Sequence, residues 1–494
     1  MVAVDVRHYQ MVIAGELVDS SSGDVMQLVN PATNESIGTV PRSTEADVDR
    51  AVAAARSAFE GSWARVSPSK RARLMMKLGE LVRERIDELA QLETLNSGKA
   101  ISSSKIEIIA AVEDFEFYAG ATTKIMGETI PAPFGMLYYT VREPIGVAGQ
   151  IIPWNYPFLM AAWKVAPAIA AGNTVVLKPA SLTPLTAFKL GELALEAGVP
   201  PGVVNVISGP GAQIGSYLAG HPGVGKVAFT GETATGRTIM QLASQTMKRV
   251  TLELGGKSPN IVFEDANLDD AVNGSIFAIF YNAGQSCEAR SRLFVQESIY
   301  DEFCEQLVDK TKRLRVGDPF DPTTHVGAII SRAQLDSIED YIQSGKSDGA
   351  EVLAGGIRPD DPSLQAGNFL LPTILSRVEN YMRVAQEEIF GPVVVVIPFK
   401  DEAEVIALAN DTMYGLAGTL WTRDVARAHR VAGGVETGVL GINTFATAMP
   451  GLPFGGYKQS GIGRERGLET LKQYTEVKSI IVNTSDRPVN PWKL

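Results

Sequence analysis

Apolar and polar positions alternate in short stretches broken by turns over the first ~40 residues, which predicts short strands. Helical spacing follows. Thr44 is placed as an N-cap with Asp47 as its capping-box partner, and Val48, Val52, Ala55 and Phe59 share one face. A second helix starts at Ser67-Pro68, since proline is tolerated in a first turn. Leu74, Leu78, Leu81, Leu89 and Leu92 form its buried stripe, and Asn96-Ser97-Gly98 ends it. From residue 174 the pattern changes to strand 175–177, helix 184–197, strand 203–207, helix 213–219, strand 227–229 and helix 235–244. A second block reads helix 275–281, strand 293–296, helix 300–312, strand 393–398 and helix 403–410. This alternation predicts an α/β protein with parallel, doubly wound sheets. Two further strand-like runs, 138–142 and 479–482, stand apart from it, and the Gly/Pro/Asp-rich run 355–367 reads as a surface loop.

Bulk properties narrow the function classes. The chain has 494 residues, 45% hydrophobic and 20% charged, which suggests two to four domains at roughly 100–200 residues each and a large core. A net charge of −11 gives no basic footprint for nucleic acid and suits a soluble cytoplasmic enzyme. Two cysteines, Cys287 and Cys304, make no disulfide framework and fit a reducing compartment. The amino terminus lacks a signal-peptide core. The apolar stretch 157–177 is interrupted by Lys164, Pro167, Gly172 and Asn173, so no membrane span is expected. Four scattered histidines offer no metal-ligand spacing, and no catalytic metal is expected.

The candidate chemistry centres on Gly284-Gln285-Ser286-Cys287-Glu288-Ala289, a turn that presents a thiol just before an apolar strand. Glu253, before Gly255-Gly256, and Asn155, in Pro153-Trp154-Asn155-Tyr156-Pro157, add a carboxylate and an amide. Nucleophile, base and oxyanion donor are the parts of covalent acyl chemistry. Asn155 also reads as a plain turn residue, and the two roles are compatible. Cys304, on an apolar helix face, reads as core. Glycine patterns follow two strands, Gly209-Pro210-Gly211 and Gly231-Glu232-Thr233-Ala234-Thr235-Gly236. Neither has the Rossmann glycine spacing, but both open helices, where backbone amides favour phosphate.

Taken together, in this order and spacing, these motifs resemble the aldehyde dehydrogenase superfamily, from Asn30-Pro31-Ala32-Thr33 to Lys458-Gln459-Ser460-Gly461. The resemblance implies a Rossmann-like cofactor domain (1–124 and 145–254), an α/β catalytic domain (255–460) and a small strand-rich oligomerisation arm (125–144 and 475–494). It implies a homodimer or homotetramer that oxidises an aldehyde to the acid, with hydride transfer to NAD(P)+. Cys287 would form a thiohemiacetal whose oxyanion rests on the Asn155 amide and the Cys287 N–H, and Glu253 would activate water against the thioester. Glu465 and Lys178 would assist in proton movement or positioning. Ile151, Pro153, Trp154, Lys178, Ser181, Gly211, Gly231, Glu232, Gly236, Glu388 and Phe390 would hold the cofactor.

Two departures from the family pattern bear on specificity. Ser181 stands where many NAD-preferring relatives carry a glutamate, which removes a repulsion against a 2′-phosphate. NAD is expected, and NADP is compatible. The pocket would be lined by Tyr156, Leu159, Trp163, Tyr281, Ser286, Glu288 and Phe454, suiting medium aliphatic or aromatic aldehydes. Glu288 beside the nucleophile either raises the thiol pKa, binds an aminoaldehyde cation or is neutralised by Arg290. The other readings are an NADP-preferring semialdehyde or aminoaldehyde dehydrogenase and, remotely, a catalytically silent structural protein.

Overall fold

The computed structural model describes residues 7–446, 448–486 and 492. Five parallel strands form the centre of an eight-stranded sheet, in the spatial order Arg249–Glu253, Lys226–Thr230, Val147–Ile151, Thr174–Lys178, Val204–Val206. From Val147–Ile151 the chain winds outward first through 174–178 and 204–206, then returns to the other side through 226–230 and 249–253. Strand 147–151 is therefore a topological switch point, where open α/β sheets bind ligands beyond the strands' carboxyl ends. The antiparallel hairpin Met11–Ile13 and Glu16–Val18 closes one edge, and Gly461–Ile462 closes the other against Leu252 and Glu253. These central strands are buried along almost their whole length, as parallel strands covered by helices on both faces must be.

A seven-stranded sheet carries the second core. Its order is Glu351–Ala354, Thr373–Ser376, Val393–Phe399, Arg292–Gln296, Pro259–Val262, Ala417–Trp421, Val439–Ile442, parallel except for the first strand. Thr129–Ile130, Met136–Pro144 and Thr475–Asn483 form a separate three-stranded antiparallel sheet. Part of the carboxyl-terminal segment assigned to the arm, 487–491 and 493–494, lies outside the described residues.

The local signals act as their chemistry requires. Thr44 and Asp47 make the reciprocal capping box at the start of helix Glu45–Glu60, and Ser67 caps helix Pro68–Glu84. Several expectations need correction. The single helix after Ser67 is two, Pro68–Glu84 and Ile86–Ser97, because Arg85 leaves helical geometry at φ −117° and ψ 23°. The leucine stripe spans this break because both segments face the same core. The expected helix at 213–219 is a wide π-turn, Gly211–Gly215, followed by the short helix Ser216–Gly220. The helix expected at 275–281 begins at Leu268. Helix Ile101–Ala121 lacks a clean apolar stripe in the sequence, because it buries Glu107 and Asp114 along with its apolar residues. Among the described residues no helix is long and apolar enough to cross a membrane.

Candidate active site

Each of the five parallel strands of the eight-stranded sheet delivers a candidate residue at or just beyond its carboxyl end. Ile151 leads into Pro153-Trp154-Asn155, Lys178 ends its strand, Val206 leads to Gly209 and Gly211, Thr230 leads to Gly231, and Glu253 ends the last strand.

Lys178 is buried, and burial pulls its ammonium down to about 8. Its Nζ comes within 3.9 Å of where a Cβ on Gly211 would stand. Ser181 Oγ donates to the Gly209 carbonyl at 2.8 Å, tying two of the strand-end loops together. Gly231 N–H donates to Glu253 O, which joins the glycine turn to the strand of the candidate base. Glu232 occupies the N-cap of helix Thr233–Ser244, but its side chain makes no capping hydrogen bond. Gly236 N–H bonds to the Glu232 carbonyl inside that first turn. Across the cleft, Phe390 sits edge-on to Trp154 with ring centroids 5.1 Å apart. Glu388 accepts the Gly256 N–H at 3.0 Å. Burial raises its carboxyl to about 7, against the pull of that hydrogen bond and of Lys257.

The cysteine turn is strained. Asn282, Ala283 and Gly284 all adopt positive φ, at 52°, 54° and 70°, which two non-glycine residues tolerate only where surroundings enforce it. The enforcing contacts are visible. Asn282 Nδ2 donates to the carbonyls of Asn155 and Gln285, and Gln285 Nε2 returns to Asn282 O and Ala328 O. Asn155 Nδ2 donates to Gln285 O at 3.0 Å, so the amide is bound to the turn that presents Cys287. A Cβ on Gly256 would stand 2.4 Å from the Cys287 carbonyl; only glycine admits the turn this close. Burial pushes the Cys287 thiol well above its ordinary range. Glu288, Glu388 and Glu253 add to that in order, and a hydrogen bond from its own N–H opposes them.

Glu253 is buried, and neither carboxylate oxygen has a hydrogen-bond partner. Burial, then the charge of Glu465, raises its carboxyl well above the usual range, with Lys164 and Arg464 pulling the other way. A Cβ on Gly455 would come within 2.8 Å of Glu253 Oε1. Behind it, Lys164 and Glu465 form a buried ion pair. Sequence reasoning used Lys164 only as an interruption of an apolar run, yet a lone cation in such a run is itself the signal of a buried partner.

The expected pocket residues divide in two. Tyr156 and Tyr281 stack at 6.5 Å, both partly exposed. Trp163 and Phe454 meet edge to face at 5.2 Å and are almost wholly buried. Leu159 is partly buried, and Ser286 lies at the buried edge of the turn. The aromatic row continues outward through Phe277 and Phe445, with centroids 4.9 Å from Tyr281 to Phe277 and 4.5 Å from Phe277 to Phe445. Neither outer ring is legible locally, since they come from different segments. Glu288 pairs with Arg290 at 3.2 Å. The Arg290 guanidinium also donates to Glu288 O, Thr419 Oγ1 and Phe445 O. Cys304 is buried on its helix.

The family model for the aldehyde dehydrogenase family matches residues 17–480. The chain is 46% identical over 480 residues to the betaine aldehyde dehydrogenase of Bacillus subtilis (strain 168), covering 97% of this chain and 98% of that one. An aldehyde dehydrogenase of Emericella nidulans is 47% identical over 475 residues, 96% of this chain and 95% of its own. Among solved structures, an NAD+ complex of aldehyde dehydrogenase from Bacillus cereus superposes with a TM-score of 0.95 at 46% identity, covering 97% of each chain. A putative aldehyde dehydrogenase from Burkholderia cenocepacia reaches 0.96 at 45% identity, over 98% of this chain and 99% of that one. With a family match over nearly its whole length and relatives this similar, the chain belongs to the aldehyde dehydrogenase family.

Proposed function

We propose that this enzyme oxidises an aldehyde to the carboxylic acid by covalent catalysis at Cys287, with NAD as hydride acceptor. The observation that carries the reading is Glu253: a buried carboxyl with both oxygens unpartnered, at a strand end beside a strained cysteine turn. Burying such a carboxyl without a hydrogen bond from the protein costs stability, and a general base explains its retention.

Cys287 adds as thiolate to the aldehyde carbon, and the carbonyl oxygen takes up negative charge. The second N–H of the Asn155 amide, whose first is held by Gln285 O, and the Cys287 N–H stabilise that oxyanion. A bound nicotinamide dinucleotide supplies the acceptor for the hydride leaving the same carbon. Glu253 then takes a proton from water as the water attacks the Cys287 thioester; the acid leaves and the thiol is restored. Burial and the charge of Glu465 raise its carboxyl, which makes the carboxylate a stronger proton acceptor, while Lys164 and Arg464 act in the other direction and favour the ionised form.

The strand ends fit a dinucleotide. The buried Lys178 ammonium facing Gly211, the helix start after Gly231 and the Glu388 carboxyl supply donors and acceptors for ribose and phosphate. The Bacillus cereus neighbour was solved with NAD+. Ser181 brings no carboxylate against a 2′-phosphate, so NADP is accepted more weakly rather than rejected.

The substrate reading follows from the aromatic row and the Arg290–Glu288 pair. The aromatic row suits aliphatic or aromatic aldehydes; its ring faces also accept a cationic aldehyde by cation–π attraction, the class named by the betaine aldehyde dehydrogenase relative, without a net charge from the paired Glu288. The three-stranded sheet supports subunit pairing, because it exposes Ile130, Leu137, Val477 and Ile481. Two free thiols suit a reducing, cytoplasmic setting.

The test is reduction of NAD or NADP at 340 nm against hexanal, benzaldehyde, an aminoaldehyde and succinic semialdehyde, with Cys287→Ala as control. Turnover lost in the variant supports the reading. Turnover that survives Cys287→Ala refutes it.

A further inference from the structure

Glu93, Lys99 and Glu107 form an ionic cluster behind the Asn155 turn, with side chains no more than 2% exposed. Lys99 pairs with Glu107 and lies 3.6 Å from Glu93 Oε1. Its Nζ also donates to the Asn155 carbonyl at 2.8 Å and sits 4.8 Å from the centre of the Tyr156 ring. Glu107 Oε1 accepts the Leu159 N–H at 3.2 Å, which is one of the unpaired donors in the first turn of helix Pro157–Ala170. Glu93 Oε2 accepts from Thr186 Oγ1 at 2.6 Å and anchors the cluster to helix Leu185–Glu196.

Three buried charges are expensive where an apolar plug would fill the space. What the ions add is a grip on both ends of one five-residue segment. Lys99 holds the carbonyl of residue 155, and Glu107 holds the amide of residue 159. The same Asn155 carbonyl takes a second bond from Asn282 Nδ2, which ties the grip to the cysteine turn. Fixing the backbone at 155 fixes where its side-chain amide points, and oxyanion stabilisation depends on that aim to tenths of an ångström.

We infer that Lys99, backed by Glu93 and Glu107, is a positioning residue that aims the Asn155 amide at the reacting carbonyl oxygen. The inference rests on the reading of Asn155 as oxyanion donor, and it extends the site to three residues that touch neither substrate nor cofactor.

A double-mutant cycle tests it, with kcat/KM measured for Lys99→Met, Asn155→Ala and the double variant. Lys99→Met is expected to lower kcat/KM roughly 10- to 100-fold through kcat, and to cost less than about twofold once Asn155 is alanine. The rate at which iodoacetamide labels Cys287 stays within about twofold in Lys99→Met, because Lys99 acts on the oxyanion donor and not on the thiol; a larger change would overturn the inference. Additive losses would overturn the inference and reduce the cluster to structural support. An Asn155→Ala variant with full activity would instead overturn the underlying reading of the site. If Lys99→Met does not fold, Glu107→Gln runs the same cycle: it keeps an acceptor for Leu159 N–H while removing the charge that holds Lys99, and the same additivity criterion decides.

Discussion

Arg290 pairs with Glu288 at 3.2 Å, one residue beyond the nucleophile, with the guanidinium buried and the carboxylate partly exposed. The Glu288→Gln variant separates the roles open to that carboxylate. If the pair is internally compensated, KM for an aminoaldehyde and for hexanal change by the same factor. A selective rise for the aminoaldehyde would mean that Glu288 binds cations.

The same substitution tests the electrostatics of the thiol. Glu288 follows burial as the second contribution raising Cys287. Removing its charge favours the thiolate, so the thiol pKa falls. The rise of iodoacetamide labelling with pH therefore shifts to lower pH in Glu288→Gln. A shift to higher pH contradicts the assignment.

Glu253→Gln keeps the shape and removes the base. Steady-state turnover falls by about 10²–10⁴, while rapid mixing still yields close to one equivalent of reduced cofactor per active site, because acylation precedes hydrolysis. Loss of that burst would place Glu253 before hydride transfer. For Asn155→Ala the expected loss in kcat is about 10²–10³, the range for deleting one oxyanion donor.

Ser181→Glu is expected to weaken NADP use by about tenfold or more, while NAD use changes little, since a carboxylate repels a 2′-phosphate. Ratios of kcat/KM for the two cofactors measure this directly. An unchanged ratio would show that another residue reads the 2′ position.

Lys226 offers a stability test outside the reaction. It is fully buried, donates to Thr251 Oγ1 at 3.0 Å and lies 4.8 Å from the centre of the Tyr474 ring. Burial lowers its ammonium from 10.5 to about 7, opposed by Glu465. Between pH 7 and 10.5 the unfolded chain binds a proton that the folded chain does not, so this group makes stability rise with pH across that window. Lys226→Met removes the dependence. Melting temperatures at pH 7, 8.5 and 10 are expected to climb less steeply, relative to wild type, in the variant. Parallel profiles would mean that Lys226 stays charged in the fold.

The sequence by itself determined the family, the alternating α/β architecture and the candidate residues at strand ends. Those features depend on local chemistry: glycines where backbones approach, a capping box at Thr44 and Asp47, β-branched runs for buried parallel strands, and a thiol in a turn. Arg85 broke a helix that its leucine stripe left continuous, because periodicity records which face is buried and not whether the backbone runs unbroken across it. The pairing of Arg290 with Glu288 was one of several readings open to the sequence, and side-chain direction chose among them. Glu107 and Lys164 carried a legible oddity, charge within apolar helices, and Lys99 stands in the connection just before one of them, but their partners lie up to 301 residues away. Only the tertiary structure decided those pairings, because which charges a buried cation meets is set by how helices and strands pack and not by neighbours along the chain.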